Sequence, residues 1–384
     1  LLKDAGACTG PQPLIVAASN LSEAWKKVRK LRKSAPCDAE TANALVLRRP
    51  EEGSNQSLLP ISPSLERILG ACAAGRHHLM LLGPRGTGKS QALEWLIRLL
   101  PDPSSQVLAV QATLAELADP FGADSGVLPV RRIGLNARPA ALLGQLSGTA
   151  PGRSTLRPGE FSRAHGGLLL ADEFPEWPRD TRECLREPLE RGKVTLSRAA
   201  GTVELPAEFQ LAATGNLCPC GAKNFRFPAA AEDREASRHK ACRCAPSRRE
   251  EYLERLSGPV LDRIDCVTRL TRPPETRPPE DKRRSSSQVH VALRKRVLAT
   301  RELSKQCWGV PAGLLSANEL EETLDRRPGW SACLERCAPA SLRSRHKILR
   351  LALSLAAWDG LDSPGEAHFL EAASYRPERF GIGI

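Results

Sequence analysis

The stretch Gly83-Pro-Arg-Gly-Thr-Gly-Lys-Ser90 decides how the rest of the sequence is interpreted. It matches the pattern G-x-x-x-x-G-K-[ST], in which glycines let backbone N–H groups approach a phosphate group closely. An apolar run at 78–82 precedes it and an amphipathic run at 91–97 follows it, which a chance glycine-rich turn would not require. We therefore predict a phosphate-binding loop. Its predicted nucleotide-contacting residues are Gly83, Pro84, Arg85, Gly86, Thr87, Gly88, Lys89 and Ser90.

A second apolar run, Gly167-Leu-Leu-Leu-Ala-Asp172-Glu173, ends in two carboxylates. We predict that Asp172 and the Ser90 hydroxyl hold Mg²⁺, that Lys89 contacts the phosphates and that Glu173 orients the attacking water. An apolar strand followed by two acids is common by itself. Together with the phosphate-binding loop upstream, it predicts Mg²⁺-dependent ATP hydrolysis.

A third run, Phe209-Gln-Leu-Ala-Ala-Thr-Gly-Asn216, also ends in a polar residue. If this strand lies between the other two, the Asn216 amide can hydrogen-bond the attacking water or the terminal phosphate. Asn and Gly are also ordinary turn formers at strand ends. The place of this strand in the series favours the functional interpretation.

The composition is that of a soluble globular protein, with 384 residues, 41% hydrophobic and 26% charged. No apolar run is long enough to span a membrane, so a cytoplasmic protein without a membrane partner is predicted. The net charge of +12 favours a polyanionic partner, although arginine-rich proteins are often basic for other reasons. Twelve cysteines in so large a chain indicate reduced thiols rather than a disulfide scaffold.

A proline-rich, charged segment at 271–288 divides the chain and is predicted to be a linker. Residues 51–270 alternate short apolar runs with helical patterns, which predicts an α/β domain built on a parallel sheet. Residues 289–375 have helical patterns throughout and predict a small all-α domain. Residues 1–50 are too few for a core of their own. The predicted strands lie at 78–82, 106–110, 167–171 and 209–213.

From 158 to 211 the sequence resembles the ComM/YifB proteins, bacterial AAA+ ATPases related to the magnesium chelatase I subunit. The resemblance continues through Asn-Leu-Cys-Pro-Cys-Gly (216–221) and Arg-Leu-Ser-Gly-Pro-Val-Leu-Asp-Arg-Ile-Asp (255–265). Residues 341–360 resemble the helical lid of that family. Together these segments cover most of 60–375, and they imply an AAA+ P-loop core with β-hairpin inserts, followed by an all-α lid.

The resemblance implies a ring, a hexamer, with ATP bound at the boundaries between subunits. Arg263 is implied to be an arginine finger that reaches a neighbouring subunit's nucleotide, and Arg343 to be the sensor-2 arginine of the lid; without the family, both would be interpreted as surface charges. Residues 1–50 are implied to be the end of an upstream Lon-protease-like domain. Arg85 departs from the family pattern, where a second Pro is usual, and this departure is not expected to harm phosphate binding. The Walker A, Walker B and sensor-1 residues are implied to be Lys89, Ser90, Asp172, Glu173 and Asn216.

Residues 193–205 alternate on either side of a small-residue tip, which predicts a β-hairpin. In the helicase relatives a hairpin at this place points into the central pore and contacts DNA. The resemblance therefore implies that Lys193 and Arg198 contact DNA phosphates. The alternative is a solvated hairpin with ordinary surface charges.

Two C-x-C pairs, separated by 21 residues, form a cysteine cluster in the sequence. Four thiolates brought together can hold a tetrahedral Zn²⁺. C-x-C is tighter than the usual zinc spacing, so unliganded thiols and a disulfide remain alternatives. The four residues are Cys218, Cys220, Cys242 and Cys244.

The predicted function is that of an ATP-hydrolysing AAA+ ring motor that acts on DNA, single-stranded or branched. The resemblance associates such a motor with branch migration during natural transformation. The main alternative is a chelatase-like or MoxR-like ATPase that remodels a protein or a metal-insertion partner, because it would share the whole ATP site. A non-catalytic scaffold is disfavoured, since every hydrolytic residue is present.

Overall fold

The computed structural model describes residues 61–118, 128–147, 155–198, 201–221, 242, 244–255, 260–270 and 286–376. The predictions for residues 1–50, and for the linker up to 285, lie outside these described residues. No helix within them is long and apolar enough to cross a membrane.

The strands form one parallel sheet and two antiparallel pairs. In chain order they are β1 (Leu79–Leu82), β2 (Val130–Ile133), β3 (Gly144–Ser147), β4 (Thr155–Pro158), β5 (Leu168–Ala171), β6 (Lys193–Arg198), β7 (Gly201–Pro206), β8 (Gln210–Gly215) and β9 (Cys266–Arg269). The parallel sheet has five strands in the order β2-β5-β8-β1-β9, and β3-β4 and β6-β7 are the antiparallel pairs. Every residue of the central strand β8 is buried, as is usual when helices cover both faces of a parallel sheet.

The helices surround this sheet and continue beyond it into a helical C-terminal region. They are α1 (Pro63–Gly75), α2 (Lys89–Leu99), α3 (Ser105–Ala118), α4 (Pro139–Leu143), α5 (Glu160–Arg163), α6 (Arg179–Glu183), α7 (Arg186–Arg191), α8 (Pro246–Glu254), α9 (Ser286–Trp308), α10 (Ala317–Arg326), α11 (Pro328–Arg336), α12 (Leu342–Trp358) and α13 (Glu366–Ser374). Helix α9 begins ahead of the predicted start of the helical domain at 289. The predicted class, a parallel α/β core followed by an all-α lid, is confirmed.

One predicted strand is wrong, because residues 106–110 lie in α3. This apolar run is short, and such a run cannot be assigned to a strand or a helix by periodicity alone. It continues into Ala-Thr-Leu-Ala-Glu-Leu-Ala, whose residues mostly favour a helix. The edge of the sheet is formed instead by β2, which pairs in parallel with β5. The other three predicted strands are confirmed as β1, β5 and β8.

The helical region packs against the α/β core through helix α1. This helix contacts α9 and α12 of the helical region and α2 of the core. Gly70 on α1 lies directly against Trp358 at the end of α12, where an added Cβ would come within 2.1 Å of the indole ring. Only glycine permits this close approach of the α1 backbone to the indole ring.

A buried ion pair connects the helical region to the sheet at a second point. Lys347 on α12 pairs with the Asp265 carboxylate and donates to the Arg263 carbonyl oxygen over 2.7 Å. The second oxygen of Asp265 accepts the His78 N–H over 2.8 Å, just before β1 begins. Arg376 donates to the Asp265 carbonyl oxygen over 3.0 Å. These contacts compensate charges that would otherwise be costly to bury.

Burial has opposite consequences for the two members of this pair. Burial lowers the pKa of Lys347 to about 8, although Asp265 opposes the shift. Burial by itself would raise the pKa of Asp265, but the charge on Lys347 holds the pKa of that carboxyl well below its ordinary value. Asp265 is therefore ionised at neutral pH.

His77 makes the fold sensitive to acid. Its ring is fully buried between α1 and β1, with Nε2 2.7 Å from Ser354 Oγ. Burial lowers the pKa of His77 from 6.5 to about 4, so only the unfolded chain takes up this proton as the pH falls from 6.5 to 4. We expect the free energy of unfolding to fall over this window by on the order of 3 kcal/mol from this residue.

Urea denaturation at a series of pH values from 7 to 4.5 measures this decrease in stability. His77→Gln keeps a polar side chain at the position but does not titrate, so its curve of stability against pH should be flatter than that of the wild type. Parallel curves for the two proteins would show that His77 is not the titrating group.

Candidate nucleotide-binding site

The loop between β1 and α2 has the shape that a phosphate-binding loop requires. Gly86 and Gly88 have φ values of 78° and 84°, in the left-handed region that glycine favours. Gly83 packs so closely on the backbone after β9 that a Cβ would lie 2.5 Å from the Leu270 carbonyl oxygen. The outer side is open, since no heavy atom of the described residues lies within 4 Å of a Cβ built on Gly86. The loop therefore faces outward at the start of a helix.

Lys89 is the first residue of α2, and its ammonium group bridges the loop to the centre of the sheet. Nζ donates to the carbonyl oxygens of Gly83 and Pro84, each over 2.7 Å, and to Asn216 Oδ1 over 3.1 Å. Partial burial lowers the pKa of Lys89, and the carboxylate of Asp172 opposes this shift. Because β8 lies between β1 and β5, Asn216 occupies the place between them that the sequence predicts.

The acidic pair after β5 is organised by Thr214, a residue that no sequence motif indicates. The Thr214 hydroxyl donates a hydrogen bond to Asp172 Oδ1 and accepts the Glu173 backbone N–H over 3.0 Å. Glu173 has a φ of 48°, an uncommon backbone conformation for a non-glycine residue. The signal for Thr214 is a polar side chain in a fully buried strand, two positions before Asn216.

The polar groups at the carboxyl ends of β1, β5 and β8 fit a nucleoside triphosphate and Mg²⁺. Backbone N–H groups at the start of α2 and the Lys89 ammonium are suited to phosphate oxygens. The Ser90 hydroxyl and the Asp172 carboxylate are hard oxygen ligands of the kind that Mg²⁺ prefers, and both side chains belong to exposed residues. Both are therefore accessible to an ion that arrives from solvent.

The two predicted phosphate-contacting arginines lie together on one carboxylate. Arg263 is buried and pairs with Glu190 on α7, and Arg343 Nη2 at the start of α12 lies 3.3 Å from the other oxygen of Glu190. The hydrogen bond from Arg263 lowers the pKa of Glu190, so the carboxylate stays ionised. The acid that holds these arginines thus differs from the acids around Lys89. Glu190 has no signal in the sequence.

The predicted hairpin is formed by β6 and β7, with Arg198 paired in register with Gly201 at its tip. At its base the Lys193 ammonium lies 2.6 Å from Glu204 on the opposite strand. Lys193 is therefore already paired within the hairpin, so its charge is partly compensated before any ligand binds.

The four predicted cysteines are also brought together. Their sulfur atoms all lie within 4.8 Å of one another, beside the end of β8. All four are thiols rather than disulfides, and the closest pair, Cys218 and Cys242, has its Sγ atoms 3.1 Å apart. They adjoin the nucleotide site because Cys218 follows Asn216 by two positions.

The fold and the site together define an AAA+ ATPase domain. They combine a five-stranded parallel sheet of this strand order, an outward-facing phosphate-binding loop after β1, acids after β5 and a C-terminal helical lid. Residues 62–277 match the family model of magnesium chelatase, subunit ChlI. Residues 285–376 match the model of the ChlI C-terminal region. The chain belongs to the magnesium chelatase ChlI family, whose AAA+ domains imply binding of ATP and Mg²⁺.

Bacterial relatives of the chain include the proteins that the sequence resembles. A Mycobacterium tuberculosis protein is 35% identical over 315 residues, 79% of this chain and 58% of the relative. YifB of Escherichia coli is 33% identical over 316 residues, and the competence protein ComM of Haemophilus influenzae is 32% identical over 318. For both, the match covers 81% of this chain and 58% of the relative. The chain thus spans somewhat more than half the length of these relatives, and the resemblance to ComM/YifB is confirmed.

Thr214→Val should separate the role of the Thr214 hydroxyl from its packing. The substitution removes the group that orients Asp172 and the Glu173 backbone while keeping nearly the same volume. We expect the rate of ATP hydrolysis to fall roughly tenfold, the effect of removing about one hydrogen bond at the acids. Steady-state ATPase rates at several Mg²⁺ concentrations measure it. Thr214→Ser keeps the hydroxyl and should stay close to wild type; an equal decrease in both variants would contradict the assignment.

Proposed function

We propose that this chain hydrolyses ATP with Mg²⁺ as one subunit of a homo-oligomeric ring, a hexamer, that acts on DNA. The observation that carries the ATPase proposal is the contact of Lys89 with Asn216, beside the unit formed by Asp172, Thr214 and Glu173. A cation, an amide and two carboxylates converge at the carboxyl ends of β1, β5 and β8. This is the arrangement needed to bind and position a triphosphate.

In this proposal Lys89 moves its hydrogen bonds from the carbonyl oxygens of Gly83 and Pro84 to the phosphates. Ser90 and Asp172 would hold Mg²⁺, which supplies neutralising charge to the phosphates when bound. Glu173 orients the attacking water and accepts its proton, and Asn216 fixes the position of that water. No covalent intermediate with the protein is required.

Arg263 and Arg343 are proposed to serve the nucleotide of the neighbouring subunit. Because they share Glu190, the two arginines lie on the same face, so one triphosphate of an adjacent subunit could contact both. Arginine suits this task because its planar charge spreads over several transition-state oxygens. Glu190 would hold both side chains until phosphate oxygens replace it.

DNA is the proposed client of the ring. The support consists of the net charge of +12, the hairpin at the place where helicase relatives contact DNA, and the similarity to a protein named for competence. Since Lys193 is paired with Glu204, we propose that Arg198 provides the larger share of the phosphate contact. The cytoplasmic location remains a prediction from the sequence.

Zinc is proposed as a third cofactor beside ATP and Mg²⁺. The supporting observation is the convergence of four thiols, which is the ligand set of a closed structural zinc site. The proposed ligands are Cys218, Cys220, Cys242 and Cys244.

Glu173→Gln tests the hydrolytic assignment. The amide cannot accept the proton of the attacking water, so we expect ATP binding to persist while turnover falls by at least ~100-fold. Binding of a fluorescent ATP analogue and steady-state phosphate release measure the two effects separately. Glu176→Gln changes a nearby carboxylate that pairs with Arg255, and it should leave turnover near the wild-type rate. Full turnover in Glu173→Gln would remove Glu173 from the mechanism.

Arg198→Ala tests the DNA assignment. We expect single-stranded or branched DNA to stimulate the wild-type ATPase and this stimulation to disappear in the variant. The slope of log affinity against log salt should decrease by about 0.7 for each phosphate of single-stranded DNA that the variant no longer neutralises. Arg326→Ala removes the same charge from an exposed helical position, and it should keep the stimulation.

The same measurement distinguishes the alternative function. If single-stranded, duplex and junction DNA all fail to stimulate an active ATPase, the DNA proposal is wrong. A protein or metal-insertion partner would then be the client.

A further inference from the structure

The cysteine cluster lies directly behind the phosphate-binding loop. Cys218 is buried after β8, and Gly221 closes a turn in which its N–H donates to the Cys218 carbonyl oxygen over 2.8 Å. The Gly221 carbonyl oxygen then accepts the Arg85 backbone N–H over 2.9 Å. Arg85 belongs to the loop itself, so a backbone hydrogen bond connects the cysteine turn to the loop.

The contact between Arg85 and Gly221 is close and specific. Gly221 has a φ of 67°, and a Cβ at this position would lie 2.6 Å from the Arg85 side chain. The position therefore requires glycine for both its backbone conformation and its lack of a side chain. A proline at 85 has no N–H to donate, so the hydrogen bond depends on the residue that stands here in this chain.

The spacing of the thiols fits a tetrahedral ion. With Zn–S bonds of about 2.3 Å, the sulfur atoms of a regular tetrahedron lie roughly 3.8 Å apart. The Sγ atoms of Cys218 and Cys242 are 3.1 Å apart, closer than this, the Sγ of Cys220 lies 3.5 Å from both, and all four sulfurs lie within 4.8 Å. Four thiolates leave no open position, which is typical of structural rather than catalytic zinc.

We propose that one Zn²⁺ bound by these four cysteines acts as a clasp that holds the phosphate-binding loop through the Gly221–Arg85 hydrogen bond. Cys242 lies 24 positions beyond Cys218, so the ion joins two distant points of the chain behind the loop. The bound thiolates of Cys218 and Cys220 restrain the turn that carries Gly221, and the turn restrains Arg85. Removing the ion releases the turn and weakens the binding of ATP, without changing any residue that touches the nucleotide. The expected effect on ATP binding rests on the proposed function, whereas the binding of zinc by the four cysteines does not.

Metal analysis of the purified chain tests the site itself. We expect one zinc ion per chain in the wild type and no stoichiometric zinc in Cys220→Ser. The matched control is Cys307→Ser, which replaces another exposed cysteine far along the sequence and should retain the zinc. A wild-type chain that contains no zinc, or that contains iron in its place, would overturn the proposal.

Binding of a fluorescent ATP analogue tests the clasp, before and after zinc is removed with a thiol-reactive reagent and a chelator. We expect the affinity of the wild type to fall roughly three- to tenfold on zinc removal, about the effect of one hydrogen bond. In Arg85→Pro the hydrogen bond is absent, so zinc removal should cause no further decrease. In Arg85→Ala the N–H is retained, so zinc removal should reduce the affinity by the wild-type factor. Equal affinity of the wild type with and without zinc, or equal decreases in both Arg85 variants, would overturn the clasp.

These measurements involve neither hydrolysis nor DNA, so a failure of the clasp can be distinguished from a failure of the proposed function. A chain that binds zinc and ATP analogue but shows no ATPase activity would leave the clasp intact. A chain that binds zinc and no nucleotide would remove both the ATPase proposal and the effect on the loop, while the metal site would stand.

Discussion

A carboxylate that is buried on all sides needs a compensating charge, and Asp265 obtains it from Lys347. This pair joins three parts of the molecule, because Asp265 also accepts the N–H that precedes β1, and Lys347 also donates to the Arg263 carbonyl oxygen. The position of Arg263 thus depends on α12, a helix that is distant in sequence. Loss of either charge would leave the other buried without a partner, at a cost of several kcal/mol.

The same principle of paired charges applies to the three cationic side chains that are proposed to contact phosphate. Lys89 is held by two loop carbonyl oxygens and Asn216, while Arg263 and Arg343 are held by Glu190. In the proposed function each cationic group is therefore positioned before a phosphate arrives, and a ligand would exchange one set of oxygens for another. Such preorganisation lowers the cost of ordering side chains on binding.

Much of the fold can be predicted from local sequence because the motifs and the strand pattern agree. The apolar runs before the loop, the acids and Asn216 are buried strands, and their order places all three motifs at one edge. The run at 106–110 is the exception because its composition suits both kinds of element, and the helix-favouring residues that follow it continue it as one helix. Residues 130–133 take its place in the sheet with two arginines in a four-residue strand, a pattern that does not indicate a strand.

The parts of the site that sequence does not predict are those that depend on contacts distant in sequence. Glu190 becomes important only because α7 brings it to Arg263, just before β9, and to Arg343, at the start of α12. Lys193 is compensated only because its strand pairs with the one that carries Glu204. Thr214 is predictable in principle, since a hydroxyl in a fully buried strand needs a partner. In the sequence Arg85 departs from the family pattern with no expected effect on phosphate binding. Its backbone N–H has a partner only because the turn at Gly221 brings a carbonyl oxygen to it.

The contact of Gly70 with Trp358 has a mechanical consequence. Helices that approach so closely cannot slide past each other without opening a gap or a clash, because packed interiors transmit strain rather than absorb it. Together with the buried pair at Asp265, this contact makes the core and the helical region a stiff unit. In the proposed ring of such subunits, movement would therefore occur at the interfaces between subunits, where one rigid subunit rotates relative to the next.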